Sequence, residues 1–321
     1  MIHPQKIAAS LILAMVWMPV AFSSTEGSEA GVWLARMATA LHEQNYEGVF
    51  TYVRGGKFNT MKIVHKFEGG KELERLLQLN GEKLEILRIN DDLVCHHEKS
   101  DQIDLEHQVP MGPFSSAFNE NLAAYQDQYR FSLHGDDRIA GRAVVKLGIS
   151  PRLNDRYGYR LWLDKETGLL LQSHMLDVDR KRVREIFQFS TVSIGGDFDE
   201  SMLLSSLSED AVSHRLTSAL VAFKKEKASR PQWRVSWLPN GFRPVRVPSS
   251  DRLHFTDGLA TFSVFIERSG KSILPELATH VGGTVVISQR VKGATGQITV
   301  VGEVPIATAR KVAESVEPVI Y

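Results

Sequence analysis

The stretch D-R-Y-G-Y-R-L-W-L-D-K-E-T-G-L-L-L-Q-S-H-M-L-D-V-D-R-K-R-V-R-E-I-F-Q-F-S, Asp155 to Ser190, decides the fold class. Tyr157, Tyr159, Leu161 and Leu163 recur at a period of two, the spacing that puts alternate side chains on one face of a strand. Gly158, Arg160, Trp162 and Asp164 fall on the other face. Lys165-Glu166-Thr167-Gly168 has turn chemistry, with Gly168 at the position that needs a positive φ. Leu169 to Asp177 returns and Val183 to Phe189 makes a third pass, which predicts an antiparallel meander. A three-residue loop pairs Leu163 with Leu171 and sets Tyr159, Leu161 and Leu163 beside Leu171, Ser173 and Met175. A four-residue loop shifts the pairing by one and flips the faces. The shorter loop is preferred because it keeps Gln172 and His174 off the tyrosine face.

Strand signals continue on both sides. Gly48–Arg54, Phe58–Phe67, Glu72–Leu79, Glu82–Ile89, Leu93–His97, Phe131–His134 and Arg142–Ser150 read as strands. Asn80-Gly81 reads as a two-residue hairpin turn, and Arg138 to Arg142 as a bend. Ser28–Gln44 reads as an amphipathic helix capped by Ser28, with Trp33, Met37, Ala40 and Leu41 on one face. A second helix is expected over Ser115–Gln128. A sheet of about nine to eleven strands must curl. The expectation is a mostly β, α+β chain: a large N-terminal half-open antiparallel β-barrel wrapped on helices, followed by a small C-terminal α+β domain. In the small domain, strands are expected at Gln232–Leu238, Leu253–Phe255, Ala260–Glu267, Thr284–Val291 and Gln297–Gly302, and a final helix from Pro305 to about Val316.

The chain has 321 residues, 43% hydrophobic and 24% charged, with formal net charge zero. Nothing in that balance points to nucleic acid. Lys6, the apolar run Ile7–Val20 and the small residues Ala21 and Ser23 read as a secretory signal peptide over residues 1–23. The expected divisions are then 24–205 for the large domain, 206–230 for a polar linker with a helix around Leu216–Phe223, and 231–321 for the small domain. The small domain holds ten Lys/Arg against seven Asp/Glu and is mildly basic. Cys95 is the single cysteine, so no internal disulfide can form.

Catalytic signatures are missing: there is no G-x-S-x-G, no H-E-x-x-H, no P-loop and no G-x-G-x-x-G. His96, His97 and His107 lie near Glu98, Asp101 and Asp104, but adjacent histidines on a strand point to opposite faces and do not share an ion without distortion. No metal, cofactor or enzymatic activity is expected. Asp177 and Asp179 flank a turn and read as solvating it. What remains is apolar and aromatic surface. Phe50, Tyr52, Tyr157, Tyr159, Leu161, Leu163, Leu171 and Met175 are candidates to line an apolar ligand cavity, with plain core as the competing reading.

Several stretches together resemble the MucB/RseB family of bacterial periplasmic regulators. They are Glu74-Arg75-Leu76-Leu77 with Leu79-Asn80-Gly81, Arg138 to Arg142, Arg156 to Asp164, Gly168 to Leu171, Leu238-Pro239-Asn240-Gly241-Phe242, Asp257-Gly258-Leu259-Ala260 with Ser263 to Glu267, and Val301 to Pro305 with Thr308-Ala309-Arg310. Asn80 stands where aspartate is expected, and Phe255-Thr256 where tyrosine-serine is more usual. The resemblance implies a lipoprotein-carrier-like large domain and a non-enzymatic role in the periplasm. It implies binding to the periplasmic region of a single-span, MucA/RseA-like anti-sigma factor, protection of that factor from regulated proteolysis, and release on sensing lipopolysaccharide or another acylated lipid. Phe255, Phe262, Phe265 and Arg268 are the candidates for the partner surface on the small domain. A homo-oligomer is compatible with the sequence and not required by it. The competing reading is a periplasmic lipoprotein or lipid carrier, which needs only the barrel.

Overall fold

A computed structural model describes residues 25–90, 92–97, 125–179, 181–196, 199–205, 212–217, 232–245, 251–267, 275–291 and 296–319. The expected signal peptide, Arg268 and most of the expected helix over 115–128 lie outside them; residues 126–128 of that helix form a turn.

After α1 (Thr25–Glu43) the large domain runs through β1 (Tyr46–Arg54), β2 (Lys57–Glu68), β3 (Lys71–Gln78), β4 (Leu84–Ile89), β5 (Asp92–His97), β6 (Tyr129–Ile139), β7 (Arg142–Pro151), β8 (Gly158–Asp164), β9 (Leu170–Leu176) and β10 (Val183–Ile194). A further strand, β11 (Val212–Thr217), completes one antiparallel sheet of eleven, in the order β11-β5-β4-β3-β2-β1-β10-β9-β8-β7-β6. The two ends do not pair with each other, so the barrel is half open. Its curl shows in the contacts: α1 touches β2, β6 and β9, and β10 meets β6 although three strands separate them.

The inner face is the tyrosine-leucine face of the meander. Tyr159 pairs with Met175 and Leu161 with Ser173, the register of the shorter loop. A bulge beside the turn then sets Leu163 opposite Leu170, leaving Leu171 as the extra residue. Gly168 has φ 87°, and its amide donates to Asp164 O at 2.8 Å. Leu34, Met37, Ala40 and Leu41 of α1 share one buried core with Phe50, Leu161, Leu163, Phe187 and Phe189. The helix fills the concavity because its apolar stripe is the matching surface for a curled sheet with one apolar face.

Three local expectations are corrected. α1 starts three residues before Ser28, so Ser28 is inside the helix and is not its cap. Asn80-Gly81 does not make a two-residue hairpin; β3 and β4 are joined by residues 79–83, with Leu77 opposite Glu85. The Asn80 side chain instead bonds across to β2, accepting from Thr60 N at 2.6 Å and donating to Phe58 O at 2.8 Å. The segment expected to be a linker with a helix near Leu216 supplies β11, which pairs with β5 from Val212↔His97 to Thr217↔Asp92. Asp177 is buried and pairs with Arg184 and Arg182, and it still serves its turn: its Oδ1 accepts from Val178 N at 2.8 Å, as Asp179 Oδ1 accepts from Lys181 N at 3.0 Å.

The small domain carries β12 (Trp233–Val235), β13 (Arg243–Val245), β14 (Arg252–Thr256), β15 (Thr261–Glu267), β16 (Leu277–Val281), β17 (Thr284–Arg290), β18 (Gln297–Gly302), α2 (Ile306–Glu314) and β19 (Val316–Pro318). Six of its strands form a sheet in the order β13-β14-β15-β18-β17-β16, and β12 pairs with β19. Phe262, Val264, Val285, Ile287, Ile298 and Val300 pack on Ala309, Val312 and Ala313 of α2.

Met37 is fully buried between α1 and the sheet. Met37→Ala should therefore lower stability by about 2–5 kcal/mol, read from urea unfolding, because it leaves a cavity the curled sheet cannot close.

Candidate functional site at the seam between the two domains

The family-like stretches of the two domains meet in space. Arg156, just before β8, has a side chain only 2% exposed. Its guanidinium donates to Asp257 Oδ2, to Asn240 O at 2.6 Å, and through Nε to Asp155 Oδ1 at 2.8 Å. It also lies over the rings of Tyr129 and Phe242, 5.5 and 5.1 Å from their centres. Asp257 is wholly buried in the turn between β14 and β15. Its Oδ2 also accepts from the Tyr129 hydroxyl at 2.8 Å, and its Oδ1 accepts from Leu259 N and Ala260 N at 3.0 and 2.7 Å. Burial first, and Asp257 beside it, push the Tyr129 phenol well up, so it stays a donor. Every oxygen of Asp257 is thus hydrogen-bonded, the condition under which a charge can be held away from water.

The same turn contributes apolar contact. Leu259 belongs to the core of the large domain although it lies in the small domain's chain. Gly258 has φ 98°, and a Cβ there would come within 2.2 Å of the Tyr125 ring, so no larger residue fits. Thr308 at the start of α2 donates to Asp155 O at 2.9 Å.

A second polar cluster closes the seam at the tip of the β16–β17 hairpin. Glu185 on β10 accepts from the Tyr52 hydroxyl and, at 2.8 Å, from the amide of Gly283. Arg54, on β1, lies 3.4 Å from Glu185 Oε1 and donates to Thr284 Oγ1 at 2.6 Å. Arg184 reaches His280 at 3.2 Å. Burial and then the charge of Glu185 push the carboxyl of Glu303, after β18, up to about 7, against the pull of Arg54. Tyr52, Tyr157 and Tyr159 all sense Glu303; burial is the main reason their phenols are raised, Tyr157 to about 12.

The structure places all eight candidate cavity residues in one buried core. Tyr52, Tyr157, Tyr159 and Met175 lie toward the seam, whereas Phe50, Leu161, Leu163 and Leu171 lie deeper, with α1 residues in the same core. Of the partner candidates, Phe255 and Phe262 are core of the small domain, stacked at 5.1 Å, and present no surface. Phe265 is part-exposed, with Arg252 over its ring at 5.3 Å. His96 and His97 lie on β5 between β4 and β11, and His107, Glu98, Asp101 and Asp104 are outside the described residues. Among the described residues no three metal-ligating side chains converge. Cys95 is buried, and burial pushes its thiol up.

Arg156, Asp257, Glu185 and Glu303 were not among the residues expected at a site. A signal was available for Asp257 and Glu303, each a lone charge in an otherwise uncharged family-like stretch, but not for Arg156 and Glu185, which follow Asp155 and Arg184. Which charge meets which depends on the docking of the two sheets.

The MucB/RseB N-terminal domain family model matches residues 29–207 and the MucB/RseB C-terminal domain family model residues 227–317. The chain is 34% identical over 320 residues to the sigma factor AlgU regulatory protein MucB of Pseudomonas aeruginosa, covering 96% of each. It is 29% identical over 319 residues to the sigma-E factor regulatory protein RseB of Haemophilus influenzae, covering 97% of this chain and 96% of that one. The solved complex of Pseudomonas aeruginosa MucA and MucB superposes with a TM-score of 0.71 at 33% identity, covering 91% of this chain and 100% of that one.

Arg156→Met should cost at least about 3 kcal/mol in urea unfolding, because it strands the Asp257 carboxylate in the seam. Arg156→Met with Asp257→Leu should recover part of that loss. A single-variant cost below about 1 kcal/mol, or no recovery, would show that the pair does not hold the domains together.

Proposed function

The chain is a member of the MucB/RseB family, and on that premise we propose that it is a periplasmic, non-enzymatic regulator that binds the periplasmic region of a membrane anti-sigma factor. The observation that carries the reading is that both family domains are present, in order, and that the stretches shared with the family build one seam between them. A relative over nearly the full length is named as a sigma factor regulatory protein, and a similar solved chain is held in a complex with MucA. By this reading the bound anti-sigma factor is shielded from proteolysis and its sigma factor stays sequestered. The small domain, with part-exposed Phe265 and the adjoining seam, supplies the grip.

Release is assigned to an acylated lipid such as lipopolysaccharide. The inner face from Phe50 to Met175 is an apolar layer already filled by α1, so an acyl chain enters there by displacing helix contacts. Each methylene it buries is worth about 0.8 kcal/mol. Such a ligand shifts the protein toward release only if it favours the released form over the bound one. Leu161→Asp is a poor probe of this face, because Leu161 is fully buried and a charge there threatens the fold itself.

The test uses the purified mature protein and the purified periplasmic region of a MucA-type anti-sigma factor. Calorimetry should show a saturable complex, the complex should resist a site-specific protease that cuts the free anti-sigma region, and lipopolysaccharide should dissociate it. No complex would overturn the reading. A complex that is cut as fast as the free region would overturn shielding, and one that lipopolysaccharide leaves intact would overturn lipid sensing. Retention of acyl lipid with no anti-sigma binding would favour a carrier.

A further inference from the structure

We propose that the β16–β17 hairpin of the small domain is a lid over the seam end of the apolar layer, and that it lifts while the Arg156–Asp257 contact stays made. The hairpin closes with a two-residue loop, Gly282-Gly283, between the paired Val281 and Thr284. That loop lies directly on the large sheet. A Cβ at Gly283 would overlap the thioether sulfur of Met175 on β9. A Cβ at Gly282 would stand 2.5 Å from Glu185 Oε1 and 2.6 Å from Arg54 Cγ. Only backbone without side chains comes this close. The loop thus covers Met175, which is 6% exposed, and packs on the Glu185 carboxylate to which the Tyr52 hydroxyl donates.

The two attachments of the small domain differ in kind. At the Asp257 turn both sides are buried: Tyr129, the carbonyl of Asn240 and the amides of Leu259 and Ala260 complete the ion pair, and Leu259 enters the core of the large domain. At the hairpin the grip is polar and shallow. Gly283 N donates to Glu185 Oε1 at 2.8 Å, Arg54 donates to Thr284 Oγ1 at 2.6 Å and to Val281 O at 3.4 Å, and Arg184 reaches His280 at 3.2 Å. Val285 and Ile287 of the hairpin are core of the small domain, and among the described residues none of the hairpin belongs to the core of the large one. Val281 is exposed. Lifting the loop therefore exchanges a few hydrogen bonds for bonds to water, whereas opening the Asp257 contact strands a buried charge. Local opening of this kind is drawn from the least stable parts of a fold. The side chain it uncovers is Met175, which pairs with Tyr159 and shares the core with Leu161. That an acyl chain enters there rests on the lipid reading above; the lid itself does not.

The decisive variant combines Gly55→Cys with Val281→Cys in the full mature chain. A Cβ at Gly55 would lie 3.9 Å from Val281 Cβ, inside the roughly 3.5–4.5 Å that a disulfide spans. The link ties the hairpin to the β1–β2 turn without removing a polar docking contact. Gly55→Ser with Val281→Ser is the unlinked control and carries the same strain at position 55, where φ is 58°. Brief treatment with hydrogen peroxide, read methionine by methionine from peptide masses, reports opening. Met61, fully buried in the same core, reports global unfolding. In the native chain and the control, Met175 should oxidise about tenfold or more faster than Met61, and the disulfide should bring it down to the Met61 rate. Gly283→Val, which props the loop on Met175, should raise the Met175 rate above the native one. A native Met175 rate equal to that of Met61, or one that the disulfide leaves unchanged, would overturn the lid whether or not Gly283→Val folds. Uptake of the fluorescent fatty acid cis-parinaric acid tests the route of entry. Uptake by the control and not by the linked chain supports the lid as that route, and equal uptake by both overturns it. No uptake by either counts against the lipid reading alone, since the methionine rates decide the lid without it.

Discussion

The contact on which the two-domain arrangement depends is the buried pair of Arg156 and Asp257. Neither charge could be left alone at that depth, since an unpaired buried carboxylate or guanidinium costs several kcal/mol. The surrounding chain is shaped to meet that demand. Asp155, Tyr129, the carbonyl of Asn240 and the amides of Leu259 and Ala260 occupy the remaining donors and acceptors. Because these partners come from both domains, the network cannot be half made. It requires the Asp257 turn, the Asn240 turn and the entry to β8 to be in place together. Leu259 then enters the core of the large domain as the apolar counterpart of the same contact.

The second constraint is the mutual fit of α1 and the curled sheet. An eleven-stranded antiparallel sheet with one apolar face needs something to wrap on. The stripe of Leu34, Met37 and Leu41 supplies it. The bulge beside the Gly168 turn locally adjusts the strand that lies under this helix, and Arg36 reaches Glu166 O from the helix side. Fold and seam are thus connected through β8 and β9, which carry core residues along their length and seam residues at one end.

Much of the large domain could be read from the chain because its signals are local. Period-two alternation from Tyr157 to Leu163, the glycine turn at 168 and the return through Met175 specify a meander and its register. The Asn80-Gly81 reading failed because a dipeptide cannot report that its asparagine side chain will be used by β2. β11 was missed because Val212 to Thr217 is polar and short; its strand state is set by the free edge of β5, not by its own pattern. The eight apolar candidates fall in one buried core, and alternation looks the same whether an apolar face is solid core or a ligand layer. The seam was the least legible part. A lone charge such as Asp257 marks a residue that needs a partner, yet that partner, Arg156, lies 101 residues away.

The placement of β11 shortens the leash between the domains. Counting from the last residue of β11, Thr217, to the first of β12, Trp233, only residues 218–232 intervene. At roughly 3.5 Å per residue when fully drawn out, that span cannot exceed about 55 Å, whatever its conformation. A small domain that leaves its seam therefore remains tethered within one molecular diameter of it, at an effective concentration of roughly millimolar order. Rebinding is then a first-order event that dilution does not slow. Any molecule that competes for the exposed seam must outbid a neighbour that never departs.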